Sequence, residues 1–301
     1  MNNFNEVYQE VYRDCAEDLV RIKREKRIKH ILIFIPGIIA IILGVCYDKS
    51  IMICVGIAFM IWLLISMIKQ YSKYKLIYKE KVIKKFVHSY SDKLEYYPEQ
   101  GISSRIYNNA DFERYYDRYH TEDLIKGEIL ENCKISMAEV HTEREETTTD
   151  SEGHTTTTYV TLFHGLFAEI DIPKFLVFDL KIRRDALLSK VFKGKQKLEM
   201  DSSEFEKIFD VNTSDKVQSM RILTSDVMQM FIDFKNKNKL TPEITLKENK
   251  LYIRFATGDM FEPSLIKQDM NYDKLKKYYD VINFTFNLAE QFTKNIIEFE
   301  E

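Results

Sequence analysis

The chain has 301 residues, with 44 Lys and Arg against 47 Asp and Glu, a formal charge of −3 that supplies no strongly basic face for nucleic acid. Five prolines, nine glycines and 13% aromatic residues exclude collagen-like and disordered architectures, and four scattered cysteines exclude a disulfide-stapled miniprotein. The mean hydropathy of −0.31 suits a body in water but averages over one sharp exception near the N-terminus.

Residues 1–30 read as an amphipathic N-terminal helix. Phe4, Tyr8, Val11, Cys15, Leu19 and Ile22 recur at spacings of three and four, which puts them on one helical stripe. Residues 31–68 then hold two uncharged runs, 31–47 and 51–68, separated only by Asp48, Lys49 and Ser50. At about 1.5 Å per residue each run approaches the roughly 30 Å hydrocarbon thickness of a bilayer. A helix of a water-soluble domain keeps one polar face, and these runs have none. The expectation is a two-span transmembrane hairpin whose partner is the lipid bilayer. Gly37, Ala40 and Gly44 give the first span a smooth face for close contact with the second span or with another copy.

Cations set the orientation. Residues 21–30 carry six and residues 69–85 carry seven, whereas the connecting loop carries only Lys49. The positive-inside rule then places a multi-pass protein in the cell membrane with both termini cytoplasmic. Residues 69–95 continue as a helical stalk on the stripe of Tyr71, Tyr74, Tyr78, Val82 and Phe86. Residues 1–90 carry a net +7 and residues 91–301 a net −10, so an acidic body sits on a basic stalk.

Pro98 and Gly101 break the helix and open a cytoplasmic domain, residues 96–301. The tyrosine-rich segment to His120 reads as irregular structure with one short helix. Strands begin near Ile125 and recur in 158–172. Between them, residues 141–158 (HTEREETTTDSEGHTTTT) contain no apolar side chain. They read either as a hairpin turning at 150–153 with its tip in water, a recognition finger in the sharper version, or as a mobile loop. KLEMDSSEFEKIFDV ends a strand and opens a helix, with Ser203 and Glu206 as a capping box and Phe205, Ile208 and Phe209 on the buried side. Residues 212–215 and 224–226 supply further caps. TPEITLKENKLYIRFAT reads as a hairpin turning at Glu248 and Asn249. Leu275, Tyr279, Ile282, Phe286, Ala289, Phe292 and Ile296 mark the inner face of a C-terminal helix. The fold class is therefore α+β: a transmembrane hairpin with a helical stalk, then an antiparallel sheet with packed helices.

Chemistry is sparse. No phosphate-binding loop, dinucleotide fingerprint, nucleophile elbow, HExxH or CxxC occurs. His141, Glu143 and Glu145 share a strand face, His154 and His164 lie elsewhere on the same hairpin, and Glu169 and Asp171 alternate on the next strand. Imidazole and carboxylate both ligate divalent metals, which makes His141, Glu143, His154, Glu169 and Asp171 the weak metal candidates. Alternating polar residues are equally what a solvent-facing strand displays. No catalytic or cofactor-binding residue is assigned, no cofactor is expected, and Gly165 reads as a turn or bulge glycine.

The order of the membrane hairpin, YYDRYHTEDLIKGEI, MAEV, FHGLFAEIDIPK, LEMDSSEFEKIFDV, SDKVQSMRILTSDVMQMFIDF and KLYIRF resembles the bacterial membrane proteins grouped as domain of unknown function 3137. The resemblance runs from the hairpin nearly to the end, and its most specific pieces are FHGLF and the DSSEFEKIFDV–RILTSDVM segment, where the family shows proline in place of Ser225. It implies a bacterial inner-membrane or plasma-membrane protein with a cytoplasmic α+β domain, and it transfers no catalytic residue. The resulting expectation is a membrane-anchored, non-catalytic module that binds a protein partner or assembles with itself, without nucleic acid. The alternatives are a sensor of a small ligand or lipid headgroup, and a metal-dependent enzyme built on the five candidate ligands.

Overall fold

A computed structural model describes residues 3–47, 49–130, 133–184, 196–263 and 271–297; for residue 16, residues 18–34 and residues 196–197 it describes the backbone alone. The chain divides into two compact units, Met1–Phe86 with Glu262–Asn271, and Val87–Phe261 with Tyr272–Glu301.

The first unit is a helical hairpin. Helix α1 (Phe4–Cys46) starts on the side chain of Asn3, which accepts the N–H of Asn5. Helix α2 (Ser50–Tyr78) runs on through a π-helical turn, Lys79–Ile83, into α3 (Lys84–His88). The two arms are antiparallel along their length. Gly37 faces Phe59 and Met60, Gly44 faces Ile53, and Gly56 faces Ile41 and the Gly37 carbonyl. Further along, the Cys15 thiol reaches the Lys81 carbonyl at 3.5 Å and Lys85 meets Asp14 at 2.5 Å. The smooth face of the first apolar run therefore packs on the second run. The stripe predicted before it shifts by one residue: Phe4, Val7, Val11 and Cys15 are buried, while Tyr8 lies at the edge between the rings of Phe4 and Tyr12. Asp48 and the side chains of Leu19, Ile22 and the six cations of residues 21–30 lie outside the described residues. The segment after Phe261 joins this unit through Glu262, whose carboxylate takes Lys75 at 2.7 Å and the buried Lys79 at 2.9 Å.

The second unit is α+β. Its strands, among the described residues, are β1 (Leu94–Tyr97), β2 (Arg118–Leu130), β3 (Cys133–Thr149), β4 (Thr155–Asp171), β5 (Leu180–Arg184), β6 (Gln196–Lys197), β7 (Phe209–Thr213), β8 (Glu243–Lys247) and β9 (Lys250–Phe255). They form one antiparallel sheet in the order β1-β2-β3-β4-β9-β8-β5-β7-β6. The helices are α4 (Ser104–Asn109), α5 (Ser203–Glu206), α6 (Lys216–Ile222), α7 (Ser225–Asn238) and α8 (Tyr272–Ile297).

Each face of the sheet has its own core. On one, Phe284 of α8 packs edge-on against Phe231 of α7 and Phe255 and tilted against Phe234 of α7, which in turn meets Phe255 edge-on, with ring centres 4.4 to 5.9 Å apart. On the other, Tyr107 of α4 covers Ala138, Val140, Phe163 and Phe167. The helix starts are capped as their residue types suggest: Asp215 accepts from Gln218 N–H and Thr224 from Val227 N–H.

Of the two readings of residues 141–158 the structure has the hairpin, turning at 150–154. Three local expectations are corrected. Residues 118–120 are strand, because they pair with 141–143 of β3. The cap of α5 is Ser202, whose hydroxyl accepts Phe205 N–H, while Glu206 takes Met200 N–H. Residues 209–213 form strand β7 beside β5, so the helix opened at Ser203 lasts one turn.

Candidate functional site

β2, β3 and β4 place three histidines side by side. His120 lies directly opposite His141, and His141 directly opposite His164. Their side chains share one face because facing positions in a ladder point the same way. The His141 and His164 rings are stacked, with centres 4.4 Å apart and planes at 22°, and the His120 ring lies 6.4 Å from that of His141. His141 Nε2 is 3.0 Å from Thr161 Oγ1 and 4.0 Å from Glu143 Oε1. His164 Nε2 is 2.8 Å from Asp259 Oδ1. Burial and the neighbouring His164 push His141 below the usual imidazole value, against the opposing pull of Glu143.

Backbone geometry delivers these partners. Between the His141–His164 pair and the Glu143–Thr161 pair, β4 carries one extra residue, a bulge that turns Thr161 back towards His141. Gly165 is an ordinary ladder position opposite Val140, and the expectation of a turn or bulge glycine is corrected. Glycine is needed there for approach: a Cβ would sit 2.0 Å from the Phe255 carbonyl oxygen and 2.6 Å from Thr257 N. The chain leaving β9 therefore lies across His164-Gly165, and Gly258 donates its N–H to the His164 carbonyl at 3.1 Å. Gly258 turns at φ +65°, which places Asp259 over His164. The same loop is held from below by the buried carboxylate of Glu139, which accepts the N–H groups of Met260 at 2.6 Å and Phe261 at 2.8 Å.

Of the sequence candidates, His141 and Glu143 belong to this row. His154 does not: it sits in the turn at the far end of the hairpin, where it is 3.3 Å from Asp150. Glu169 and Asp171 are held by Lys250 from β9, with Glu169 at 3.6 Å. His120 and Asp259 were missed. His120 lies in the segment read as irregular, and Asp259 is 95 residues from its histidine with no spacing to connect them.

β2 stops pairing at Glu143 and β9 stops at Leu166, so from Arg144↔Val160 to Thr149↔Thr155 the two arms pair, among the described residues, only with each other. The root is pinned by Asp117, whose carboxylate accepts Glu145 N–H at 2.6 Å, and by Arg118 lying over the Tyr159 ring at 3.2 Å.

A second polar cluster lies on the opposite face. Arg254 donates to Glu113 at 2.8 Å, Glu243 at 2.6 Å and the Tyr107 hydroxyl at 3.1 Å, and Thr142 donates to the other Glu113 oxygen at 2.7 Å. Arg183, its pKa lowered by burial to about 10, bonds Thr245 at 2.7 Å and lies 4.4 Å from the centre of the Phe112 ring, which Arg254 also approaches at 4.6 Å. These groups satisfy one another, which is the signature of a structural network. The adjoining hollow of about 490 Å³ between Asn108 and Tyr116 shares Glu113 with it.

A family model described as Protein of unknown function (DUF3137) matches residues 161–294. The match begins within β4 and ends within α8, so it is shorter than the resemblance read from the sequence and leaves out the helical hairpin and β1–β3. No curated protein matches the chain. Among solved structures, the crystal structure of the mycobacterial trehalose monomycolate transport factor A, TtfA, is similar over 67% of this chain and 95% of its own, at 8% identity and a TM-score of 0.32. A likeness of that degree carries no argument.

Proposed function

Taking residues 161–294 as a domain of the DUF3137 family, we propose that the chain is a membrane-anchored, non-catalytic binding module whose projecting hairpin, residues 144–160, engages a protein partner. The observation that carries this reading is the arm itself. Six successive cross-strand pairs extend about 20 Å at roughly 3.4 Å per residue, with no third strand on either side among the described residues. An isolated two-stranded ribbon is marginal in water, and its outer edges carry backbone N–H and C=O groups that a partner strand can satisfy. Threonine on both arms keeps the ribbon extended, and Tyr159 and Val160 at its root are exposed apolar side chains.

The anchor is supported by the first unit. Ser50–His88 contains a window of mean hydropathy 2.8 that is only 11% buried, and Ile35–Cys46 is a shorter apolar helix. Ile51, Val55, Ile61, Trp62, Ile65 and Ile68 are exposed, a patch that lipid would cover. With the cations flanking the two runs, this supports a two-span hairpin, a bacterial cell membrane location and cytoplasmic termini.

The test combines topology and capture. Cys introduced as Lys49→Cys is expected to react with an impermeant thiol reagent in intact cells, and Thr157→Cys only after permeabilisation. A photo-crosslinker at Thr157 in native membranes is expected to trap one stoichiometric protein, lost when residues 144–160 are replaced by an Asn-Gly turn. Labelling of Thr157→Cys from outside overturns the topology, and a capture pattern unchanged by the arm replacement overturns the binding role.

A further inference from the structure

We propose that His120, His141 and His164 form a binding site for a first-row transition cation of the zinc and copper class, with Asp259 as the residue that orients His164. The row lies wholly within the second unit and stands independently of what the hairpin arm engages.

Three observations converge. The first is placement: three imidazoles occupy directly opposed positions on three adjacent strands, about 4.8 Å apart from strand to strand, so all reach the space over the middle one. Two imidazoles on one tetrahedral metal, at metal–nitrogen distances of about 2.0–2.1 Å, hold their ring centres roughly 5 Å apart. The observed separations of 4.4 and 6.4 Å fall on either side of that value. No three ligand atoms of the row lie within 4.8 Å of one another, so binding draws the flanking rings inward by side-chain rotation.

The second is tautomer. Ionised Asp259 only accepts hydrogen bonds, so His164 Nε2, 2.8 Å away, carries the proton and the Nδ1 lone pair is left for a metal. A carboxylate on the far nitrogen is the arrangement that orients metal-ligating histidines and raises their basicity. His141 Nε2 is likewise occupied by the Thr161 hydroxyl at 3.0 Å, which leaves its Nδ1 as the ligating nitrogen in this proposal.

The third is access. The side chains of His141 and His164 remain 29% and 32% exposed, which leaves a cation a way in from solvent. Imidazoles select zinc, copper and nickel over magnesium and calcium, which take all-oxygen sets.

The experiment uses the untagged full chain in detergent. Calorimetric titration with Zn²⁺ is expected to give one equivalent bound, weakened 100-fold or more by His141→Ala or His164→Ala. Asp259→Asn should weaken binding about 10- to 100-fold while leaving the ligands in place. His154→Ala, at the far end of the hairpin, should change nothing. Electron paramagnetic resonance of bound Cu²⁺ reads the same site without depending on a variant that folds: couplings to three imidazole nitrogens are expected, falling to two in His120→Ala. The proposal is overturned if Zn²⁺ binds with no defined stoichiometry, if His141→Ala and His164→Ala bind as tightly as the native chain, or if Cu²⁺ shows no imidazole coupling.

Discussion

Glu139 illustrates how one buried carboxylate governs a distant loop. It sits in the middle of β3 with 4% of its surface exposed, and both bonds to the loop run to backbone N–H groups, of Met260 and Phe261. Glu139→Ala removes the acceptor and strands two buried donors, a loss of about 2–4 kcal/mol expected in denaturant unfolding of the full chain. The loop also carries Asp259, so Zn²⁺ affinity should fall with it even though Glu139 touches no histidine. None of this was legible from the residue alone, because an acidic side chain in an alternating strand reads as solvent-facing. The strand alternation around it was legible. What the sequence hid was the loop folding back over that face, which depends on Gly165 allowing the backbone of Phe255–Thr257 to lie against β4.

At the scale of elements, the hairpin shows why patterning alone leaves a segment undecided. Residues 141–158 lack the apolar alternation that announces a half-buried strand, yet both arms are extended because their roots continue β3 and β4 of the sheet. The turn is closed by Asp150, which accepts N–H bonds from His154 and Glu152, each at 2.9 Å. Led by the bond from His154, these hold the Asp150 carboxyl below the usual carboxylate range. A depressed folded-state value stabilises the turn above the unfolded carboxylate value of about 3.9, and that contribution is lost as the pH falls through the folded value. Protection of the Glu152 and His154 amides, relative to their intrinsic exchange at the same pH, should therefore fall on acidification below about pH 4, and at neutral pH in Asp150→Ala. The helices were easier to read. Caps at Asp215 and Thr224 have a local cause within three residues, whereas the pairing of β7 with β5 joins segments some thirty residues apart and leaves no such trace.

At the scale of the whole molecule, the two units follow different rules. The first is a pair of helices meeting through glycine-lined contacts, with large apolar side chains turned outward. The second is a sheet with a separate core on each face, and its helical face depends on α8. Phe284 lies among Phe231, Phe234 and Phe255 with 6% of its surface exposed. Phe284→Ala opens a cavity there and should cost about 3–5 kcal/mol in thermal or denaturant unfolding of the second unit, with the helical hairpin unaffected. The inner face of α8 was legible from its period, as Leu275, Ile282, Ala289, Phe292 and Ile296 are all buried, while Tyr279 and Phe286 lie at the edge against Tyr90.

The route of the backbone has a consequence for biosynthesis. After Phe261 the chain leaves the second unit, contributes Glu262–Asn271 to the first, and only then returns to make α8. The ribosome thus finishes every described strand of the sheet before it begins the helix that shields one side of it. Translating the 26 residues of α8 takes about one to five seconds at 5–20 residues per second. For that interval the nascent domain shows its phenylalanines to the surroundings, and a message truncated before codon 272 would leave them bare for good.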